Sequence, residues 1–464
     1  MYLKELQLKN FRNYSDLNLK FDRTAALFFG DNAQGKTNLL ESIRYISSGK
    51  SHRVTNQDDM IGWGFEFALI RAQVNAHLIE LELRPGNILK IKVDKAYCRK
   101  KSDFTSILPS VIFTPEDLKI IKNGPSNRRD FLDDILESIY PGYAALKAQY
   151  QKILNQRNSL IKSIAGFESI RGFGSEQGSI NPTLYAWDEN LVKYGSEIIK
   201  KRCDLVNRIS LDFSKLMMKF FPEIEVRIFY IFSWNRKSSE LVSLESANNK
   251  PEASQLPKLG NKNSSKPDEI KISAAEEFKA DESEGQKQPE HEHEHEQAQA
   301  YARAYEVFQD AGTAYGEFPQ AGTSIDGIRQ CFLSMLKQNL KKELSYRTTI
   351  IGPHRDDFII LLNGKDIRSF GSQGQQRIAA ISLKLCEIEV IKESLKKDPV
   401  LLLDDILSEL DSKREKIVLN LIKDKYQTFI TTSNINYVSH IKEIEKDLIQ
   451  ELIVKDNNVF EVKK

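Results

Sequence analysis

Eight consecutive residues, Gly30-Asp31-Asn32-Ala33-Gln34-Gly35-Lys36-Thr37, have the types and spacing of a phosphate-binding loop. They follow the apolar run Ala25–Phe29 and precede a helical pattern of Leu39, Leu40, Ile43 and Ile46, so the loop has a strand–loop–helix context. The two glycines allow a tight turn that lets backbone N–H groups face phosphate oxygens at a helix start. Lys36 offers a compact positive charge to β- and γ-phosphates, and Thr37 offers a hydroxyl to Mg²⁺. A triphosphate site also needs an acidic metal ligand from a second strand. The run Val400–Leu403 ends in Asp404 and Asp405. Asp404 is the candidate Mg²⁺ ligand, directly or through water. Asp405 is the candidate group that orients or deprotonates the attacking water, and with Lys36 it forms the expected catalytic set.

A third segment narrows the class. Ser372-Gln373-Gly374-Gln375 opens a helix carrying Ile378, Ile381, Leu385 and Ile388. It resembles the signature motif of ABC-type ATPases. That resemblance implies that Ser372, Gly374 and Gln375 present a hydroxyl, amides and a helix dipole to a γ-phosphate held by a second subunit. Ser408 and Asp411 match the loop that such proteins place at the dimer seam.

These residues need elements to position them. Leu3–Leu8, Leu17–Phe21, Phe67–Val74, Leu78–Leu83 and Ile88–Val93 read as strands. Phe358–Leu362 and Ile367–Phe370 read as strands around an Asn363-Gly364 turn. Val400–Leu403 and Thr428–Thr431 read as buried parallel strands. Between the two halves, Leu146, Tyr150, Ile153, Leu160 and Ile164 recur at helical spacing, as do Leu184, Trp187, Leu191, Tyr194, Ile198, Leu205 and Ile209. The expected fold is α/β: an ABC-type P-loop ATPase head with a mixed sheet, interrupted by a helical arm, a short antiparallel coiled coil. The expected boundaries are 1–122 and 301–464 for the head, 123–234 for the arm and 235–300 for an insert.

Composition agrees with this outline. The 464 residues are 40% hydrophobic and 28% charged, which excludes collagen-like and wholly disordered chains. No run of about 18 apolar residues occurs, so membrane-spanning helices are not expected, and Met1 opens without an apolar signal core. Cys98, Cys203, Cys331 and Cys386 lie far apart and read as buried thiols of a reducing, cytoplasmic compartment. The net charge of +2 averages unlike regions, since Asn235–Ala300 holds 9 Lys/Arg against 14 Asp/Glu. That insert has Phe278 as its only aromatic and ends in a His-Glu repeat at His291–Glu296, so it reads as disordered.

Taken together, Leu6–Asn13, Gly30–Ile43, Lys50–Arg53, Phe113–Leu118, Asn127–Asp133, Gly352–Asp357, Ser372–Arg377 and Leu401–Asp411 resemble the bacterial RecF family in collinear order. The resemblance spans nearly the whole chain except Gly166–Pro182 and Asn235–Ala300. It implies a cytoplasmic protein of DNA repair and replication that binds ATP, Mg²⁺ and DNA, dimerises on ATP and hydrolyses it slowly. It implies partnership with RecR and RecO in helping RecA load at single-strand gaps, and support of SOS induction. Asp405 stands where most ABC ATPases have Glu, and Thr431-Thr432 stand where a switch His is common; the family shares both features. Arg128 and Arg129, with Arg99-Lys100-Lys101, are candidate DNA-phosphate contacts or solvated charge clusters. His52 and His354 are open between site and structural roles. Two other functions stay open on the residues alone: the nucleotide-binding subunit of a membrane transporter, and a non-hydrolysing, NTP-gated scaffold.

Overall fold

The computed structural model describes residues 2–86, 88–98, 102–171, 182–234, 324–407, 410–423, 425–433 and 449–462. Its centre is a six-stranded sheet in the order Asn458–Glu461, Ile449–Lys455, Ala25–Phe29, Thr428–Thr432, Val400–Asp404 and Ser110–Phe113. All neighbours run parallel except the first pair. Both faces of this sheet are covered, which explains the continuous apolar runs in its strands. Ala25, Leu27, Val111, Phe113, Leu401 and Leu403 turn to a helical layer. Ala26, Phe28, Ile112, Val400 and Leu402 turn to the helix Lys36–Ser48 and a second sheet.

That second sheet is antiparallel, running Tyr14–Lys20, Leu3–Phe11, Ala68–Val74, His77–Arg84, Ile88–Val93 and Ala96–Tyr97. One face meets water, and Ala68–Val74 accordingly alternates buried with half-buried residues along its whole length. The third sheet places Asp357–Leu362 between Val226–Ile231 and the two-residue strand Lys365–Asp366. The Asn363-Gly364 turn forms as expected: Leu362 pairs with Lys365, and both turn residues have positive φ (46° and 77°). The expected strand Ile367–Phe370 does not form. Those residues make one helical turn, because the Asp366 side chain accepts from Arg368 N–H and caps it.

The helical arm interrupts the head as helices Tyr143–Arg171 and Pro182–Phe220. The second helix is buried beyond a single stripe, with Asp188, Ser196, Arg202 and Cys203 inside as well as the apolar series. A third helix, Ile325–Tyr346, packs on it, as do the helix Gln373–Leu395 and the strand Val226–Ile231. Packing therefore crosses the division expected between 123–234 and 301–464. Fully buried Arg157 ties the three arm helices together: it pairs with Asp188 at 2.6 Å and Glu343 at 2.7 Å, and donates to Thr349 Oγ1. Nearby, Arg202 grips both oxygens of Asp133 at 2.8 and 3.0 Å and donates to the Pro353 carbonyl.

All four cysteines are free; Cys203 and Cys386 are buried, Cys98 is half-buried and Cys331 is exposed, contrary to the expectation that all are inside. Cys331 lies on the outer side of the third arm helix, whose buried residues are Ile328, Phe332, Leu336 and Glu343. No helix among the described residues is long and apolar enough to cross a membrane. The insert 235–300 lies outside the described residues.

Candidate nucleotide site

The central strand Ala25–Phe29 delivers the phosphate loop to the carboxyl edge of the parallel sheet, where ligands of such sheets bind. Gly30 admits no side chain, since a β-carbon there would sit 2.2 Å from the Val454 carbonyl oxygen. Gly35 caps the following helix with φ 103°, a conformation that favours glycine. The loop is clamped between two hairpin turns. Asn13 donates to the Gln34 carbonyl at 3.3 Å and to Asn457 Oδ1, while Asp456 N–H donates to Gln34 Oε1 at 2.7 Å.

Lys36 is buried, and its ammonium donates to the carbonyls of Gly30 and Asp31, each at 2.7 Å. Burial lowers its pKa, and the carboxylates of Asp405, Asp404 and Asp31 oppose that shift. Thr37 donates to Asp404 Oδ1 at 2.9 Å, and Thr431 donates to the same oxygen at 2.7 Å. Burial pushes the Asp404 carboxyl up from its ordinary value, against the hydroxyls of Thr431 and Thr37. Register explains the meeting, because Asp404 lies opposite Thr431, which in turn lies opposite Phe28 of the phosphate-loop strand. A hydroxyl and a carboxylate converging at hydrogen-bond distance form a hard oxygen donor set that fits Mg²⁺. Asp405 follows in the left-handed region, φ 52°, with its N–H directed at Thr431 Oγ1 (3.1 Å) and the Thr431 carbonyl (3.3 Å).

One helical turn beyond Thr37, fully buried Glu41 holds Arg12 through two bonds of 2.9 and 2.7 Å and accepts from Ser51. Burial works to raise its pKa, but the hydrogen bonds from Arg12 and Ser51 and the charges of Arg12 and Arg53 bring it below the usual carboxylate value. The segment Lys50–Arg53 is thus folded against the phosphate-loop helix, with Arg53 donating to Asn38 at 2.7 Å. His52 on this segment is exposed. His354 has a structural place: it is hydrogen-bonded to Tyr150 Oη (2.7 Å) and donates to the Thr349 carbonyl (3.1 Å) beside the arm. Burial holds its pKa down at about 3, so it stays neutral.

Ser372 caps its helix in a reciprocal box: its Oγ accepts from Gln375 N–H, and Gln375 Oε1 accepts from Ser372 N–H. Ser372 is exposed, and its helix packs at the Ser110–Phe113 edge of the sheet. That edge is three strand positions, about 14 Å at the usual spacing, from the phosphate-loop strand. The structure brings Lys36 and Thr37 together with Asp404 and Asp405, while Ser372 opens a separate helix that packs on the edge strand. Asp411 caps the helix Ser412–Ile422 and pairs with Arg414 at 2.8 Å. A β-carbon on Gly374 would lie 3.1 Å from the same guanidinium, so Arg414 joins the expected seam loop to the signature. Ser408 lies outside the described residues, as does Arg99–Lys101.

The DNA-contact expectation fails for Arg128. It is buried, bonded to both oxygens of Asp357 at 2.7 and 3.0 Å and to the Asn123 carbonyl at 2.8 Å, so it anchors the helix Pro125–Ile139 to the third sheet. Arg129 is half-buried and donates to the Asp356 carbonyl at 2.9 Å. Sequence reasoning also missed Asn38, Asn457 and Arg414. The only local signal for Asn457 is its place in an Asp-Asn turn between two strands.

The family described as the RecF/RecN/SMC N terminal domain matches residues 2–451. The DNA replication and repair protein RecF of Natranaerobius thermophilus is 34% identical over 94% of this chain and 92% of its own length. That of Clostridium botulinum (strain ATCC 19397 / Type A) is 33% identical over the full length of both chains. Among solved structures, the recombination mediator protein RecF-ATPrS of the RecFOR pathway superposes with a TM-score of 0.69 at 28% identity, covering 100% of this chain and 98% of that one. Its RecF-ATP counterpart gives 0.68 at 29%, with the same coverage. Near-complete coverage in both directions, on a head that interrupts its parallel sheet with a helical arm, leads to one conclusion: the chain belongs to the RecF family of DNA replication and repair proteins.

Proposed function

We propose that the protein is an ATP-dependent DNA-binding protein of recombinational repair and replication. ATP and Mg²⁺ close it into a homodimer that binds single-stranded, gapped or duplex DNA, and slow hydrolysis releases it. With RecR and RecO as partners it would help RecA load at single-strand gaps and support SOS induction. The observation that carries this reading is the convergence of Lys36, Thr37, Asp404 and Asp405 at one sheet edge, with Ser372 exposed at the start of another helix. Relatives solved as RecF-ATP and RecF-ATPrS in the RecFOR pathway support the choice of ligand and pathway.

In this reading the ammonium of Lys36 exchanges the carbonyls of Gly30 and Asp31 for phosphate oxygens. Thr37 and Asp404 would hold Mg²⁺, which when bound neutralises charge on the β- and γ-phosphates. Asp405 orients or deprotonates water, while Ser372, Gly374 and Gln375 of a second copy complete the site in trans. A carboxylate one methylene shorter than Glu, with Thr431 and Thr432 standing where a switch His is common, accords with slow turnover. The test is DNA binding with and without ATP on duplex, single-stranded and gapped substrates. ATP should strengthen binding in the wild type and have no effect in Lys36→Ala; equal ATP stimulation in both would refute the assignment.

A further inference from the structure

We propose that Thr431 is the positioning residue of the acidic pair, one hydroxyl fixing the Asp404 carboxylate and the Asp405 backbone. Its Oγ1 donates to Asp404 Oδ1 at 2.7 Å and is the acceptor for Asp405 N–H at 3.1 Å. The Thr431 carbonyl also lies 3.3 Å from that N–H. Thr431 is 2% exposed and sits in a central strand, so water cannot replace its hydroxyl.

The two bonds do different work. The first sets the rotation of the Asp404 carboxylate. Thr37 shares Oδ1, but its oxygen is itself a candidate ion ligand, which leaves Thr431 to hold the orientation once the ion is bound. The second holds Asp405 at φ 52°, a left-handed conformation that costs free energy in a non-glycine residue and persists only where neighbours impose it. That kink turns the chain out of the strand at the point where the second carboxylate leaves it. A single side chain therefore links the metal-binding carboxylate to the backbone of the residue that carries the water-handling one. The inference rests on the nucleotide reading above and assigns within it a residue that holds the ligand set.

The test uses the full chain, a fluorescent ATP analogue and a MgCl₂ titration, with binding as the readout. Thr431→Val keeps the shape and removes the hydroxyl; Thr431→Ser keeps the hydroxyl. The Val variant should need about tenfold more Mg²⁺, or beyond, for half-maximal Mg²⁺-dependent binding, the loss expected when a ligand's orienting partner is removed. Its thermal midpoint should fall by a few degrees, because the buried Asp404 carboxylate and Asp405 N–H lose a partner, and the Ser variant should restore both the midpoint and the Mg²⁺ requirement. If the Val variant does not fold, Thr431→Ala carries the same comparison. An unmoved Mg²⁺ requirement without the hydroxyl, or equal impairment in Ser and Val, overturns the proposal while leaving the nucleotide reading intact. A wild type without Mg²⁺-dependent nucleotide binding overturns both.

Discussion

Lys36 already donates to two carbonyls, so the loop is held in shape by the same ammonium that a nucleotide would recruit. Lys36→Ala should abolish measurable ATP binding in nucleotide titrations, and unchanged affinity would remove Lys36 from the site. Asp405→Asn keeps the side chain's shape but not its basicity; it should lengthen the lifetime of the ATP-closed dimer in sedimentation or crosslinking. Faster opening than wild type would count against Asp405 as the water-handling group. Residues of this kind were readable because their motif is local: Gly30 to Thr37 is one uninterrupted loop whose glycines and lysine carry meaning by spacing. The role of Asn13 was not, since its partner Asn457 is 444 positions away. Arg128 was misread for a related reason. A paired arginine and an exposed one look alike until the burial of Asp357 beside it is known.

Among elements, the phosphate-loop helix and the signature helix make separable demands. The helix Lys36–Ser48 buries Glu41 with Arg12 as its main partner. Arg12→Ala would strand that carboxylate with Ser51 and a 3.7 Å contact to Arg53, at a cost of about 3 kcal/mol in denaturant unfolding. The pH sign follows from the depressed pKa of Glu41. Its stabilisation is complete above the unfolded carboxylate pKa and is lost as pH falls through the lower folded value. Wild type should therefore keep this contribution further into acid than Arg12→Ala, and identical acid limbs would show that the pair contributes nothing. The signature helix begins at an exposed Ser372, so Ser372→Arg should fold and bind ATP as a monomer but fail to dimerise. Mixed with Lys36→Ala subunits it should recover part of the ATP-dependent pairing, because one composite site remains whole. Normal dimerisation of Ser372→Arg alone would reduce Ser372 to a helix cap. The strands and the Asn363-Gly364 turn were readable from alternation and turn chemistry. The one-turn helix Ile367–Phe370 was not, because its cap, Asp366, also fits a strand end.

At the scale of the whole molecule, the helical layer is held by ion pairs that a hydrophobic pattern does not announce. Arg157 is fully buried between Asp188 and Glu343, so Arg157→Ala leaves two buried carboxylates without their cation. It should cost about 3–5 kcal/mol, whereas replacing all three by apolar residues of similar volume should be nearly neutral. Denaturant midpoints of the single and triple variants check this; equal losses would mean that shape matters and charge does not. The arm was visible as two apolar stripes, while its third helix was hidden by the long insert between it and its neighbours in sequence. The clamp on the phosphate loop has a further consequence, one of timing during synthesis. Gln34 is held by Asp456, 422 residues later, and the strand before the loop lies between two strands made near the end of the chain. At the usual elongation rates of 5–20 residues per second, roughly 20 to 85 s pass before a ribosome supplies those neighbours. Throughout that interval the strand Ala25–Phe29 has apolar faces and open edges, a hazard for association with other nascent chains. The polypeptide should thus gain nucleotide affinity in a single late step, only after its final hairpin has cleared the exit tunnel.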